Sequence, residues 1–154
     1  MKMILTLIIL LLSITACDID IPEPDAYLRK QVIFSVESAE EQNLDVYVNT
    51  SVTGYWKPSE NEINDVFVTL VKYLQSTSEN QNLGKLENYR HQHFGYLSAD
   101  KKYIYNNYFC DDFDTAIEWR TNFISVDDGG NCFFQAIFDV DTQEIISLYI
   151  NGES

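Results

Sequence analysis

The chain has 154 residues and carries 24 acidic against 10 basic side chains, which gives a net charge of −14 at neutral pH. So acidic a protein is not expected to bind nucleic acid or anionic lipid head groups, because both attract clusters of lysine and arginine. The length supports one domain with a hydrophobic core.

The first residues have the order of an export signal. Lys2 supplies a positive charge, and an apolar run follows from Met3 to Leu12, broken only by Thr6. The run is too short to cross a bilayer, which requires roughly 20 apolar residues. We therefore interpret residues 1–16 as a cleavable signal peptide.

The end of this segment resembles the lipobox of bacterial lipoproteins, since Ile14, Thr15 and Ala16 directly precede Cys17. The resemblance implies cleavage before Cys17 and acylation of its thiol. Each buried methylene of an acyl chain contributes about 0.8 kcal/mol, so two or three chains hold a protein firmly to a bilayer. The resemblance to a lipobox therefore predicts an envelope lipoprotein that is anchored to a membrane through lipid and faces the periplasm or the cell surface. The alternatives are an ordinary signal peptide with a chance cysteine and a non-cleaved apolar anchor.

Residues 17–30 are acidic and contain two of the three prolines, Pro22 and Pro24. Such a composition favours an extended tether. We therefore expect residues 31–154 to form a single globular domain.

The domain is predicted to begin with two short strands, Gln31–Val36 and Leu44–Val48. The polar residues between them, Glu37–Asn43, suit a turn or a short helical piece.

The clearest element is a helix over Ser59–Gln75. Its apolar residues recur at helical spacing and form one stripe. Ser59 and Glu62 match a capping box, which marks the start of the helix. The stripe consists of Ile63, Val66, Phe67, Leu70, Tyr73 and Leu74.

Beyond a polar loop at 76–88, the pattern changes to strands and turns. Two hairpins are predicted, and a further strand and a turn lie between them. One helix and an antiparallel meander indicate an α+β fold, in which an amphipathic helix packs on an antiparallel sheet of about four to five strands. The element order resembles the cystatin-like and NTF2-like folds. The hairpins are Tyr89–Leu97 with Lys102–Phe109 and Cys132–Phe138 with Ile145–Ile150; the strand is Trp119–Val126 and the turn Asp127–Gly130.

Two cysteines remain once Cys17 is assigned to lipid. Because an exported protein meets an oxidising environment, Cys110 and Cys132 are predicted to form a disulfide. The alternative is two free thiols, with Cys110 as a nucleophile beside a histidine. Asp111 and Asp112 argue against it, because nearby negative charge raises the pKa of a thiol.

His91 and His93 are two residues apart in a predicted strand, so both side chains point to one face of the sheet. Two imidazoles in this arrangement are candidate binding or metal ligands. No Cys, Asp or Glu in the same strand completes a metal site, so the alternative is a pair of surface or half-buried histidines.

Three acidic clusters lie in predicted turns, at Asp111/Asp112/Asp114, Asp127/Asp128 and Asp139/Asp141. None has the ligand spacing of an EF-hand loop. We interpret them as turn residues, and the sequence predicts no metal ion or other cofactor. Gly129 and Gly130 lack the later glycine and lysine of a phosphate-binding loop.

The aromatic content is high, with ten tyrosines and nine phenylalanines. Tyr103, Tyr105 and Phe109 share one predicted strand face, and Phe134 and Phe138 share another. Since further aromatic residues occupy alternate positions, either both faces of the sheet are covered or an aromatic surface remains exposed. An exposed aromatic patch among acidic residues is typical of a protein-binding surface. The further residues are Tyr96, Tyr108, Phe133 and Tyr149.

The segments 105–110 and 129–135, with the C-terminal residues 150–154, resemble small uncharacterised bacterial exported proteins. This resemblance implies no catalytic residues. We predict a non-enzymatic module that binds another protein or acts as an inhibitor or immunity-type protein. The alternatives are an envelope hydrolase that uses His91, His93 or a carboxylate pair, and a protein that binds a small ligand between helix and sheet.

Overall fold

The computed structural model describes residues 27–77, 83, 85–112 and 117–152. The predicted signal peptide, Cys17 and most of the predicted tether lie outside these residues. The strands and α-helices that lie wholly within these residues are, in chain order, β1 Gln31–Ile33, α1 Val36–Glu41, β2 Gly54–Trp56, α2 Glu60–Ser76, β3 Tyr89–Ser98, β4 Lys101–Cys110, β5 Phe133–Asp139 and β6 Glu144–Ile150.

The six strands form one sheet in the order β1-β3-β4-β5-β6, and β2 pairs with β3 beyond the end of β1. Every pairing is antiparallel except that of β1 with β3, in which Gln31 lies opposite His91. The predicted α+β class is therefore confirmed, with one main helix on an antiparallel-dominated sheet. The sheet has six strands rather than four or five, because two three-residue strands share one edge of β3.

Both predicted hairpins are confirmed. The turn between β3 and β4 places Ala99 and Asp100 at φ values of 50° and 62°. Two successive positive φ angles are typical of the primed turns that suit the twist of a hairpin. Between β5 and β6 the pairing shifts at Ile137 and Phe138, which indicates a β-bulge.

The predicted helix is confirmed within one residue at each end. The Ser59 backbone N–H donates to Glu62 Oε2 at 2.8 Å, and the Glu62 N–H donates to Ser59 Oγ, so the capping box is complete. Its apolar stripe packs on one face of the sheet, which we call the helix face. The buried residues of α2 are Ile63, Val66, Phe67, Leu70 and Val71, and they pack in one core with Ile104, Tyr108, Phe134, Ala136 and Phe138 of the sheet.

The predicted strand Leu44–Val48 is wrong. Leu44–Tyr47 is a 3₁₀ helix that follows Asn43, whose backbone lies in the left-handed region at φ 52°. Leu44 and Val48 are buried while Val46 between them is 70% exposed, so the alternate residues do not share one environment as they would on one face of a strand. The short strand β2 was not predicted.

The predicted strand Trp119–Val126 is also wrong, since this segment is irregular. Its backbone groups are paired with side chains instead of a neighbouring strand, as described below. The predicted turn that follows contains Gly129 at φ 122°, where a Cβ atom would lie 2.5 Å from the Phe133 ring. Only glycine fits this conformation without strain.

Residues at the ends of the predicted tether and loop pack against the domain, and Tyr27 and Leu86 belong to its core. Tyr27 is buried against Phe67, and Lys30 Nζ forms a salt bridge with Asp111 Oδ2 at 2.8 Å. The predicted loop at 76–88 includes a 3₁₀ helix at Leu86–Asn88, and its residues 78–82 and 84 lie outside the described part of the chain.

Cys110 and Cys132 form the predicted disulfide, with their Cα atoms 5.0 Å apart. The bond joins the end of β4 to the residue before β5. Closing a loop of 22 residues stabilises the fold by about 3 kcal/mol in the chain-entropy model.

Candidate functional site

Aromatic residues lie on both faces of the sheet, and the two faces are covered differently. On the face opposite α2, which we call the outer face, Phe94, Tyr96 and Tyr105 pack under α1 and the 3₁₀ helix Leu44–Tyr47. Phe109 and Phe133 pack under Trp119 and Ile124 of the irregular segment. The predicted alternatives are thus both partly true, because most of these rings are buried while Tyr149 is 62% exposed.

His91 and His93 lie on the helix face, side by side as their spacing predicts, and both are fully buried. His91 Nδ1 is 3.3 Å from His93 Nε2, and His93 Nδ1 is 2.7 Å from Asn106 Oδ1. The expectation of surface or half-buried histidines is therefore wrong. Neighbouring aromatic rings close the site, and Tyr27 stacks on His91 with ring centroids 3.8 Å apart.

The hydrogen bonds determine the tautomer of each ring. Asn106 donates both amide N–H groups to the carbonyls of Ile104 and Ala136, so its oxygen must accept from His93 Nδ1. His93 Nε2 then accepts from Nδ1–H of His91. The remaining ring nitrogen, His91 Nε2, is a buried acceptor without a partner among the described residues.

Burial keeps both histidines neutral at physiological pH. Desolvation lowers the pKa of His93 to about 4, against the partial opposition of its bond to Asn106. Desolvation also lowers the pKa of His91 well below its ordinary range, and the neighbouring His93 and Lys30 act in the same direction. A substrate cannot reach these rings in the folded protein, so we interpret the pair as a polar part of the core.

The described residues contain one group of side chains close enough to share a metal ion, formed by Cys110, Asp112 and Cys132. Both sulfur atoms belong to the disulfide, so they offer no thiolate ligands. The same bond removes Cys110 as a nucleophile.

One aspartate in each of two acidic clusters has structural partners. Asp111 pairs with Lys30 and Arg90, and these hydrogen bonds lower the pKa of its carboxyl. Asp139, the last residue of β5, supports the turn that follows, since its Oδ1 accepts the backbone N–H groups of Asp141 and Thr142. Asp114 lies outside the described residues.

The outer face carries an open cleft of about 320 Å³. Its floor is the sheet, its walls are the 3₁₀ helix and the irregular segment, and its rim includes the end of β6. Its lining combines aromatic rings with amide groups and one carboxylate. The lining residues are Val46, Tyr47, Tyr105, Asn107, Phe123, Ile124, Ser125, Val126, Asp127, Gln135, Tyr149 and Asn151.

One wall of the cleft is held by a buried glutamine. Gln92 Nε2 donates to the carbonyl oxygens of Trp119 and Asn122 at 2.6 and 2.8 Å, and Gln92 Oε1 accepts the Ile124 N–H at 2.8 Å. A side chain of the sheet therefore satisfies backbone groups that a strand would pair with its neighbour.

Three further amides complete this support. Asn107 Nδ2 donates to the Ile124 carbonyl at 2.7 Å, and Asn151 Nδ2 donates to the Val126 carbonyl at 2.7 Å. Gln42 Oε1 accepts the Phe123 N–H at 2.7 Å. The segment is thereby fixed at several points without regular secondary structure.

The rim of the cleft is unusually apolar for a surface. Val46, Tyr47 and Tyr149 are 70%, 37% and 62% exposed, and they are three of the five large hydrophobic side chains that are exposed in the described part of the chain. Tyr47 packs on Phe123 with ring centroids 4.5 Å apart. Exposed apolar side chains that gather around a concavity are typical of binding surfaces.

A second groove, of about 670 Å³, lies beside β1 and the start of α2. Its charged residues are Lys57 and Glu60, one of each sign, and no aromatic side chain lines it within the described ranges. Ser59, which also lines it, is already engaged in the helix cap.

The sequence pattern placed Tyr105 and Tyr149 among the aromatic residues of the strands. It did not indicate the cleft or the amide side chains that support its wall. The available signal was the pair Asn106 and Asn107, together with Gln92, inside strands that are rich in aromatic residues. Buried amides need partners, so such residues mark places where irregular backbone approaches a sheet.

No protein-family model, curated protein or solved structure shows significant similarity to this chain. Within the described ranges, no helix has both the length and the hydrophobicity to cross a membrane.

Proposed function

We propose that this protein is an envelope lipoprotein, anchored to a membrane through Cys17, whose α+β domain binds another protein at the outer-face cleft. The observation that carries the binding role is the exposure of Val46, Tyr47 and Tyr149 around one concavity. Water-exposed apolar area of this kind is buried when a partner docks, which provides much of the affinity of protein interfaces. An inhibitory or immunity-type role fits, because such a protein acts by occupying its partner.

The structure of the walls supports the same role. Because Gln92, Asn107 and Asn151 hold the irregular segment in place, the cleft is formed before a partner arrives. A preformed surface loses little conformational entropy on binding.

The binding role can be tested by comparing two exposed side chains of the same strand. Tyr149 lines the cleft, whereas Ile146 is 52% exposed and lies outside it. Tagged protein is extracted from membranes of its own cells and its co-purified proteins are quantified. We expect Tyr149→Ser to remove a stoichiometric partner and Ile146→Ser to retain it. Equal retention by both variants would contradict the proposal.

The anchor is tested on the same material by intact mass. We expect the mass of a chain that begins at Cys17 and carries two or three acyl groups, and we expect Cys17→Ala to release the protein from the membrane fraction. A mature chain without acyl groups would refute the anchor and leave the binding role to stand on its own test.

A further inference from the structure

The outer-face cleft offers hydrogen-bond acceptors to a ligand, beside the hydroxyl groups of Ser125 and its tyrosines, which can donate as well as accept. Asn107 donates its amide N–H groups to Gln92 Oε1 and the Ile124 carbonyl, and Asn151 donates to the carbonyls of Val126 and Asp128. Asn107 Oδ1 accepts from Gln135 Nε2 at 3.4 Å, so the carbonyl oxygen of Asn151 is the acceptor of this pair that remains for a ligand. Asp127, which is exposed, adds a carboxylate.

The aromatic walls also suit a cation. Tyr47, Phe123 and Tyr149 present ring surfaces, and the faces of aromatic rings attract positive charge. In the described part of the chain, no lysine or arginine lines the cleft. The net charge of −14 adds a long-range attraction for cationic partners.

The size of the cleft limits the occupant. Its volume of about 320 Å³ lies at the lower end of the range of roughly 300–1,000 Å³ that is typical of small-ligand sites. A cleft of this volume accommodates one long side chain better than a helix. A planar guanidinium stacks on aromatic rings and donates several hydrogen bonds in a fixed plane, whereas an ammonium cannot do both.

We propose that the cleft receives the side chain of an arginine in a basic segment of the partner protein. This inference rests on the proposed protein-binding role and specifies the chemistry of the partner. The guanidinium lies between the rings of Tyr47 and Tyr149 and donates to the Asp127 carboxylate and the Asn151 carbonyl oxygen.

The probe is the capped peptide Gly-Arg-Gly, compared with the same peptide carrying citrulline, which has the same shape without the charge. Binding is followed by backbone amide chemical shifts of the full domain. We expect the arginine peptide to move signals of residues 123–127 and 149–151 in a saturable way, with a Kd of a few millimolar, and the citrulline peptide to bind about fivefold or more weakly.

Two acidic neighbours provide matched variants. Asp127 lines the cleft and Asp128 does not, yet both are exposed and each substitution removes one negative charge. We expect Asp127→Asn to weaken the arginine peptide about fivefold, and Asp128→Asn to change its binding less than twofold.

Three results would overturn the inference: equal binding of the two peptides, equal effects of the two aspartate variants, or no shifts in the cleft at about 10 mM peptide. If Tyr149→Ser still removes the natural partner while any of these results holds, the binding role stands and the arginine assignment fails. If Tyr149→Ser retains the partner, the binding role fails first.

Discussion

The two faces of the sheet are covered by different means. On the helix face, α2 supplies a continuous apolar stripe, and its side chains interlock with aromatic and aliphatic residues of β4 and β5. The outer face is covered by a short helix, a 3₁₀ helix and an irregular segment. Amide side chains of the sheet hold the irregular segment in place.

The comparison shows why one face is closed and the other is open. A helix satisfies its own backbone, so its apolar face packs closely on a sheet. An irregular segment needs hydrogen-bond partners from outside, and the amides that provide them occupy sheet positions that rings would otherwise fill. The cleft lies where Asn107 and Gln135 take the place of such rings. Four predictions test this contrast, from the largest expected effect to the smallest.

Removing an aromatic ring should lower the free energy of unfolding more on the helix face than on the outer face. Phe67 is fully buried between α2 and the sheet, so Phe67→Ala should lower the free energy of unfolding by about 4 kcal/mol. Phe123 is half-buried in the wall of the cleft, and Phe123→Ala should cost less than about 2 kcal/mol. Urea unfolding of both variants measures the difference, and equal losses would contradict the contrast.

Removing the amide of Gln92 should loosen the outer face. Gln92→Met keeps most of the side-chain volume but leaves two carbonyl groups, the Ile124 N–H and one amide N–H of Asn107 without their partner, at roughly 3 kcal/mol in total. Amide exchange should rise around Trp119–Ile124 and stay unchanged in α2. The control is Gln135→Met, which removes one long contact of 3.4 Å and should cost less than about 1 kcal/mol.

Acid should destabilise the helix face through its histidines. Below the ordinary histidine pKa of 6.5, His93 is protonated in the unfolded chain. In the folded protein it stays neutral until the pH approaches its lowered pKa of about 4. Stability therefore falls as the pH falls, by roughly 2 kcal/mol for His93 between about pH 7 and about pH 5. His91, whose pKa is also lowered, adds to the loss.

Denaturant unfolding at both pH values measures this effect, and His93→Gln should reduce the pH dependence. Asp111→Asn serves as the control. The pKa of Asp111 is lowered by Lys30 and Arg90, so its contribution is lost only at more acidic pH. An unchanged slope in His93→Gln would refute the assignment of the effect to that histidine.

The smallest effect on stability belongs to the rim of the cleft. Tyr149 is 62% exposed, so Tyr149→Ser should change the free energy of unfolding by no more than about 0.5 kcal/mol. Thermal unfolding of the partner-binding variant checks this expectation. A large loss of stability would mean that the ring has a structural role and would remove the reason to assign it to binding.

The regular parts of the fold could be predicted from local patterns. Helix α2 has both a periodic apolar stripe and a capping box, and β3, β4 and β5 are each rich in aromatic residues. The pairing of Cys110 with Cys132 followed from their number and from the expected export. Each of these signals lies within a short stretch of sequence or in a simple count.

The segments that cover the outer face could not be predicted in this way. Leu44–Tyr47 and Trp119–Val126 are rich in apolar residues and therefore read as strands. Their conformations depend on partners far along the chain: Gln92 and Asn107 bind the second segment, and Phe94, Tyr96 and Tyr105 pack under the first.

The sequence by itself determined the α+β class, the position of the main helix, the two hairpins and the placement of His91 and His93 on one face. These features follow from the periodicity of side chains along the backbone, which is a local property. The tertiary structure alone decided that the histidines are sealed in the core and that Tyr47, Phe123 and Tyr149 meet around a cleft. Burial and concavity depend on which distant segments cover a surface, and no local pattern contains that information.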